Sequence, residues 1–297
     1  MLWRCRDHAF DLTERTLVMG VVNVTPDSFS DGGRFLDPDA AAARARALGA
    51  EGADLVDLGA ESTRPGAPPV PAAEQLRRLL PVLEALRSGG APPISVDTAS
   101  AEVAARALEA GAVAVNDVTA LGDPALAATV AASGAGLVLM HMRGTPADMQ
   151  RDPRYGDAAA EIAAWLAQRL TRAAGAGIAA ERVALDPGIG FGKSARHNFE
   201  LIARLAEIAA LGRPVLVGLS RKSFLGSVEE LPVERRLEAG LAAAAVAVFE
   251  GARIVRTHDV APTVRATRIA DALRAARRGS SAGASDKVEA SRDRSRP

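Results

Sequence analysis

The sequence predicts an α/β protein of the (β/α)8 TIM-barrel class, a single domain over residues 1–278 with a disordered polar tail over 279–297. Three observations predict it. Short β-rich apolar runs alternate with longer Ala/Leu/Arg/Glu segments of helical period, eight of each. The runs are apolar almost throughout, as parallel strands covered on both faces must be. The length, 297 residues, accommodates one barrel of about 250 residues and a tail. A doubly wound open sheet would show G-x-G-x-x-G after its first strand, and none stands there. Solenoid periods are absent as well.

The predicted strands, in order, are "TLVMGVVN" (16–23), "ADLVDLG" (53–59), "PPISVDT" (92–98), "AVAVNDV" (112–118), "GLVLMHM" (136–142), "RVALDPG" (182–188), "RPVLVGLS" (213–220) and "ARIVRTH" (252–258). Helices are expected near 38–51, 71–88, 100–110, 124–133, 157–174, 197–210, 233–250 and 262–277. From 279 the text reads "GSSAGASDKVEASRDRSRP", which is polar, poor in aromatics and patternless, and so reads as disorder.

Composition narrows the function. The content is 48% hydrophobic and 24% charged, ordinary for a globular protein. Formal net charge is zero, so no global field draws the chain to nucleic acid or to a membrane. No apolar stretch reaches the ~20 residues that span a bilayer, and the start, "MLWRCRDHAF", lacks the apolar segment of a signal peptide. A single cysteine, Cys5, excludes an internal disulfide framework and suits a reducing compartment, so the cytoplasm is expected. The basic residues are nearly all arginine. Lysine appears only as Lys193, Lys222 and Lys287; the last lies in the polar tail, and the other two mark candidate places for a compact point charge.

Each strand ends in a hydrogen-bonding or ionisable group: Asn23, Asp57, Asp97, Asn116, His141, Asp186, Ser220 with Arg221 and Lys222, and Arg256 with His258. In a barrel these ends converge on one mouth, where active sites of this class sit. Any one of them alone reads as a turn or cap. Asp57, Asp97, Asn116 and Asp186 suit a flat heterocycle presenting N–H donors. Arg64, Arg256, His258 and Lys222 suit phosphate. The loop "NVTPDSFSDGG" (23–33) has the length of a lid, and Asn23 and Asp31 with a substrate diphosphate suit magnesium. "DPGIGFGK" (186–193) lacks the spacing of an NTPase phosphate loop. His141 and His258 have no cysteine or close histidine to make a zinc site.

Eight segments, "MGVVNVTPDSFSDGG", "DLGAESTRPGA", "ISVDT", "NDV", "LMHMRGTPADMQ", "LDPGIGFGK", "GLSRKSFLG" and "RTHDV", together resemble the dihydropteroate synthase family over residues 16–276. Each segment is weak alone; their ordered set is specific. The resemblance implies a folate-pathway transferase that joins 6-hydroxymethyl-7,8-dihydropterin diphosphate to 4-aminobenzoate, with loss of pyrophosphate. It implies pterin contacts from Asp97, Asn116, Asp186, Lys222 and Met140, the first four of these as catalytic residues. It implies diphosphate contacts from Asn23, Thr63, Arg64, Arg256 and His258, and Mg2+ held with Asn23 and Asp31. The aminobenzoate would meet Ser223, at the start of the helix after the seventh strand, with Phe191 and Pro65 against its ring. Asp57 takes a supporting role. A homodimer is implied too. The alternatives are a pterin-dependent methyltransferase, which needs no diphosphate site, and a catalytically silent pterin-binding paralogue.

Overall fold

Side-chain parity along each barrel strand decides what the protein buries and what it displays. In the computed structural model residues 1–25, 37–62 and 66–293 are described, 279–293 as backbone only. Chain order begins with a hairpin, β1 (Leu2–Cys5) and β2 (His8–Asp11), which the sequence reading did not anticipate. The barrel strands follow as β3 (Leu17–Asn23), β4 (Leu55–Gly59), β5 (Ile94–Asp97), β6 (Ala114–Asp117), β7 (Gly136–Met140), β8 (Val183–Asp186), β9 (Val215–Gly218) and β10 (Ala252–Thr257). All pair in parallel, and β10 closes on β3. Every predicted barrel strand contains an observed one.

The helices between them are α1 (Pro38–Ala50), α2 (Ala72–Leu86), α3 (Ala101–Glu109), α4 (Pro124–Ser133), α5 (Ala158–Gly175), α6 (Ala195–Ala203), α7 (Leu205–Ala209), α8 (Leu237–Phe249) and α9 (Val260–Asp293). Their starts are written in the sequence. Asp37, Ser100, Asp123, Asp157 and Ser194 each accept a backbone N–H of the first turn. The single helix expected over 197–210 is broken at Arg204, whose guanidinium is shared among Asp157, Glu200 and Glu207. The backbone of α9 stays helical to Asp293, past the expected end near 277 and through most of the segment expected to be disordered. None of the described helices is long and apolar enough to cross a membrane.

Two layers of packing result. Outward-facing residues such as Val56, Leu58, Val96, Val115, Leu137, Leu185 and Val217 join the helices in one core. Inward-facing residues form a second core, in which Leu17, Met19, Leu55, Ala114, Val138, Ala184, Leu216 and Ile254 meet Trp3, Cys5 and Leu12 of the N-terminal segment. The hairpin therefore closes the end of the barrel where the strands begin. Trp3 Nε1 donates to the Arg182 carbonyl at 2.9 Å, and Arg6 reaches the Leu108 carbonyl at 2.8 Å. With that end plugged, the other end is left for chemistry.

Candidate active site

Side chains alternate along a strand, so two residues beyond each member of the inner core lies another inward-facing one. Counting on gives Asp57 from Leu55, Asn116 from Ala114, Met140 from Val138, Asp186 from Ala184, Gly218 from Leu216 and Arg256 from Ile254. The same parity takes Met19 to Asn23 and Ser95 to Asp97. The ladder sets their heights: Gly59 pairs with Asn23 and Asp97, Asp97 with Asn116, Met140 with Asp186, and Gly218 with Arg256. Most of the predicted residues thus form one ring above the inner core.

Arg256 is the hub. Its Nε donates to Asp57 Oδ2 at 2.7 Å and its Nη2 to Asp97 Oδ2 at 3.0 Å. Asn116 Nδ2 donates to the same Asp57 oxygen at 3.0 Å. Asp57 has no exposure and joins Arg256 to Asn116. Its Oδ1 and Asn116 Oδ1 are buried acceptors without a hydrogen-bond partner among the described residues. Burial pushes the Asp97 carboxyl up to about 7, against the pull of Arg256 and with the help of Asp57. Asp186, which accepts from the Gly188 N–H at 2.7 Å, is also raised by burial.

The turn after β9 explains how Lys222 enters this ring. Arg221 takes a left-handed conformation, φ +61°, rare for a side-chain-bearing residue. Asp259 holds it there by an ion pair of 2.8 Å and also accepts from Ser220 Oγ at 3.4 Å. Ser220 Oγ lies 3.2 Å from His258 Nδ1, which holds that ring. The reversal at Arg221 places Lys222 Nζ 3.9 Å over the Phe191 ring. Burial pushes Lys222 down to about 8, with Asp186 opposing. Gly190, φ +84°, lies behind it: a Cβ there would stand 2.8 Å from Lys222 Cδ.

Three expectations need correction or limits. Ser223 is exposed and opens a five-residue 3-10 turn, Ser223–Ser227, while the barrel helix α8 begins only at Leu237. The Leu225 N–H bonds the Lys222 carbonyl at 3.3 Å, an i→i+3 closure that makes this a 3-10 rather than an α-helical start. His141 does not join the ring; it faces the helices, its ring edge-on to Trp165 at 4.9 Å, and burial pushes it down to about 3. Asp31, Thr63, Arg64 and Pro65 lie outside the described residues. Among the described residues no three His, Cys, Asp or Glu side chains group as a metal cluster. Asn23 fits a lighter role. A Cβ on Gly59 would be 3.6 Å from both Asn23 Oδ1 and the Asp97 Cβ, so that neutral oxygen stands at the mouth. One such oxygen suits magnesium, which keeps waters and takes substrate phosphates.

Comparison with known proteins agrees with this geometry. Residues 19–258 match the family model described as pterin binding enzyme. The dihydropteroate synthase of Escherichia coli K12 is 44% identical over 260 residues, covering 88% of this chain and 92% of its own. A crystal structure of Xanthomonas albilineans dihydropteroate synthase with 4-aminobenzoic acid superposes with a TM-score of 0.85 at 45% identity, over 92% of this chain and 98% of that one. The Burkholderia cenocepacia enzyme complexed with 7,8-dihydropteroate gives 0.83 at 44% identity, over 94% and 98%. The chain belongs to the pterin-binding enzyme family, in its dihydropteroate synthase branch, the transferases of folate biosynthesis.

Proposed function

We propose that the mouth joins 6-hydroxymethyl-7,8-dihydropterin diphosphate to 4-aminobenzoate by a dissociative displacement, giving 7,8-dihydropteroate and pyrophosphate. The observation that carries this reading is the set of buried acceptors facing two cations: Asp97, Asn116 and Asp186 on one ring with Lys222 and Arg256. A pterin presents several N–H donors along one edge. Asn116 Oδ1, buried and without a partner among the described residues, is an acceptor suited to such an edge. Lys222 would donate to the pterin's own acceptors, and Met140, buried at the end of β7, would lie against the ring.

Arg256 and His258, with Asn23, Thr63 and Arg64, would face the diphosphate. Magnesium, held by Asn23 and Asp31 with phosphate oxygens, would supply charge neutralisation to the leaving group. The residues then do the following. As the pterin C–O bond breaks, Arg256 and His258 stabilise the departing pyrophosphate with its electron pair. Asp97 and Asp186, ionised when they accept pterin N–H groups, favour the methylene cation that remains. The aminobenzoate nitrogen is neutral at pH 7, and its lone pair forms the C–N bond with loss of one proton. Ser223 would meet the carboxylate of that substrate, and Phe191 and Pro65 its ring. The similar enzymes named above bind 4-aminobenzoic acid and 7,8-dihydropteroate, a substrate and the product this reading requires.

The reading extends to setting. A homodimer is supported by the apolar side chains Val246 on α8 and Ile269 and Leu273 on α9, which this single chain leaves exposed. A cytoplasmic location is supported by the lone, buried Cys5.

The test is to mix the protein, magnesium and both substrates and follow pyrophosphate and dihydropteroate. Stoichiometric formation of the two, abolished by Lys222→Ala or Arg256→Ala, supports the reading. Pterin binding without either product favours a silent binder, and methyl transfer from a methylated folate favours the methyltransferase. Dissociation further requires slow pyrophosphate release when aminobenzoate is omitted.

A further inference from the structure

Lys193 has no part in the reaction described so far, yet it is only 3% exposed. Burying an ammonium costs several kcal/mol even after relaxation, and the burial pushes this one down to about 7. An arginine-rich chain that retains one of its few lysines in such a place has a use for its shape. Lys193 Nζ donates to the Phe191 carbonyl at 2.8 Å, lies 3.0 Å from His141 Nδ1 and 3.4 Å from the His141 carbonyl. An ammonium has no lone pair, so the His141 Nδ1 that faces it accepts. In its ammonium form the nitrogen's three donors thus meet three acceptors, and these belong to two different loops. Arginine, with its donors spread over a planar fork, does not match that convergence.

The two loops follow β7 and β8, and they meet along their backbones. A Cβ on Gly188 would collide with the His141 carbonyl oxygen, and one on Gly192 would stand 2.7 Å from that of Arg143. Other side chains of the β7 loop hold the same glycine-rich segment. Gln150 Nε2 donates to the Gly190 carbonyl at 2.9 Å, and Tyr155 Oη to that of Gly192 at 3.0 Å. Phe191, whose carbonyl Lys193 takes, carries the ring that Lys222 covers.

We propose that Lys193 is a positioning residue for the reaction: by tying the Phe191 carbonyl to His141 it sets the height of the Phe191 ring beneath Lys222, and so the slot for the aminobenzoate ring. An apolar residue would fill the same volume but leave two carbonyls and an imidazole nitrogen unpaired. The loop would then shift to find water, and Phe191 would move with it. The inference rests on the assignment of Phe191 to the aminobenzoate.

The experiment is steady-state kinetics of the full chain with magnesium, on Lys193→Met, Tyr155→Phe and Phe191→Ala. Lys193→Met is expected to raise KM for 4-aminobenzoate about 10-fold or more, with KM for the pterin diphosphate changed by less than about 2-fold. Tyr155→Phe loosens the same loop from its far side at a half-buried position, and a smaller selective rise, roughly 3-fold, is expected. A uniform fall in active fraction, with both KM values unchanged, would make Lys193 merely structural and overturn the proposal. If Lys193→Met does not fold, Tyr155→Phe decides: no selective rise overturns it. Phe191→Ala separates the two levels. If it leaves the aminobenzoate KM unchanged, the substrate assignment and this inference fall together. If it raises that KM while Lys193→Met does not, only this inference falls.

Discussion

Arg256 donates its Nε, at 2.7 Å, to the carboxylate of Asp57, a residue with no exposure to solvent. Such a contact aims the guanidinium as well as neutralising the acid, because the Asp57 oxygen is itself fixed by Asn116. Asp57→Ala should therefore hurt twice. Stability should fall by roughly 3 kcal/mol, the low end for breaking a buried pair, since Arg256 keeps Asp97. The rate with both substrates saturating should fall about 10²–10³-fold, the cost of misaiming one anion-stabilising group. Urea unfolding and pyrophosphate release check the two parts. A variant of normal rate would show that Arg256 is aimed by something else.

The raised pKa of Asp97 predicts a proton count. In the free site burial holds it near 7, so below that pH the carboxyl is largely protonated. Accepting several pterin N–H groups favours the ionised form. Pterin binding near pH 6.5 should then release a fraction of a proton, and the release should fade above pH 8. Calorimetry in two buffers of different ionisation enthalpy measures it, with Asp97→Asn as the control in which the release shrinks. Proton uptake at pH 6.5 would refute the assignment. Stability carries the complementary sign. With the folded value above the unfolded one, this group's contribution is fully present below pH 4 and is lost as pH rises through about 7. Asp97→Asn should flatten that decline.

Why the ring was visible in the text, and its wiring was not, follows from parity. Strand ends such as Asp186 and Arg256 are polar letters after apolar runs, and alternation carries them inward with Ala184 and Ile254. The same parity would have given Asp57 its central place, two residues beyond Leu55. His141 sits one residue past Met140 and so faces the helices, a distinction that a list of terminal residues ignores. Lys193 was readable as unusual but not as buried, because its partners come from 52 residues away and from its own loop. The opening hairpin left no signal beyond alternating Trp3 and Cys5, and short strands paired by a tight turn look like any polar start. The turn at Arg221 was hidden because Asp259, 38 residues on, holds it.

Gly190→Ala tests the back wall behind Lys222. The backbone there has φ +84°, so any side chain adds strain of roughly 1–2 kcal/mol. Its Cβ would also press on Lys222 Cδ from 2.8 Å, and that flexible stem can yield only by moving its ammonium. The expected signature is loss of activity out of proportion to loss of stability: about 10-fold or more in kcat/KM for about 1–2 kcal/mol of folding. Thermal melts and kinetics on the same preparation check it. Equal losses in the two would mean that Lys222 is not displaced.

The opposite end of the barrel should behave in the opposite way. Gly136 begins β7 directly under the hairpin, and a Cβ on it would overlap the Cys5 sulfur and stand 3.2 Å from the Trp3 ring. Neither neighbour can retreat, since both are fully buried and Trp3 is tied to the Arg182 carbonyl. Gly136→Ala should destabilise by about 1–3 kcal/mol, as overpacked cores do. Activity per folded molecule should be unchanged, because the inner core of Leu17, Ala114, Val138 and Leu216 lies between the hairpin and the mouth. Cys5 provides the readout. Burial pushes its thiol far above the ordinary range, so it should resist a thiol reagent in the folded protein and react only on unfolding. The rate of labelling should rise in Gly136→Ala in step with its lost stability, while the KM values stay where they were. A change in either KM would mean that strain from the plug reaches the mouth through that core.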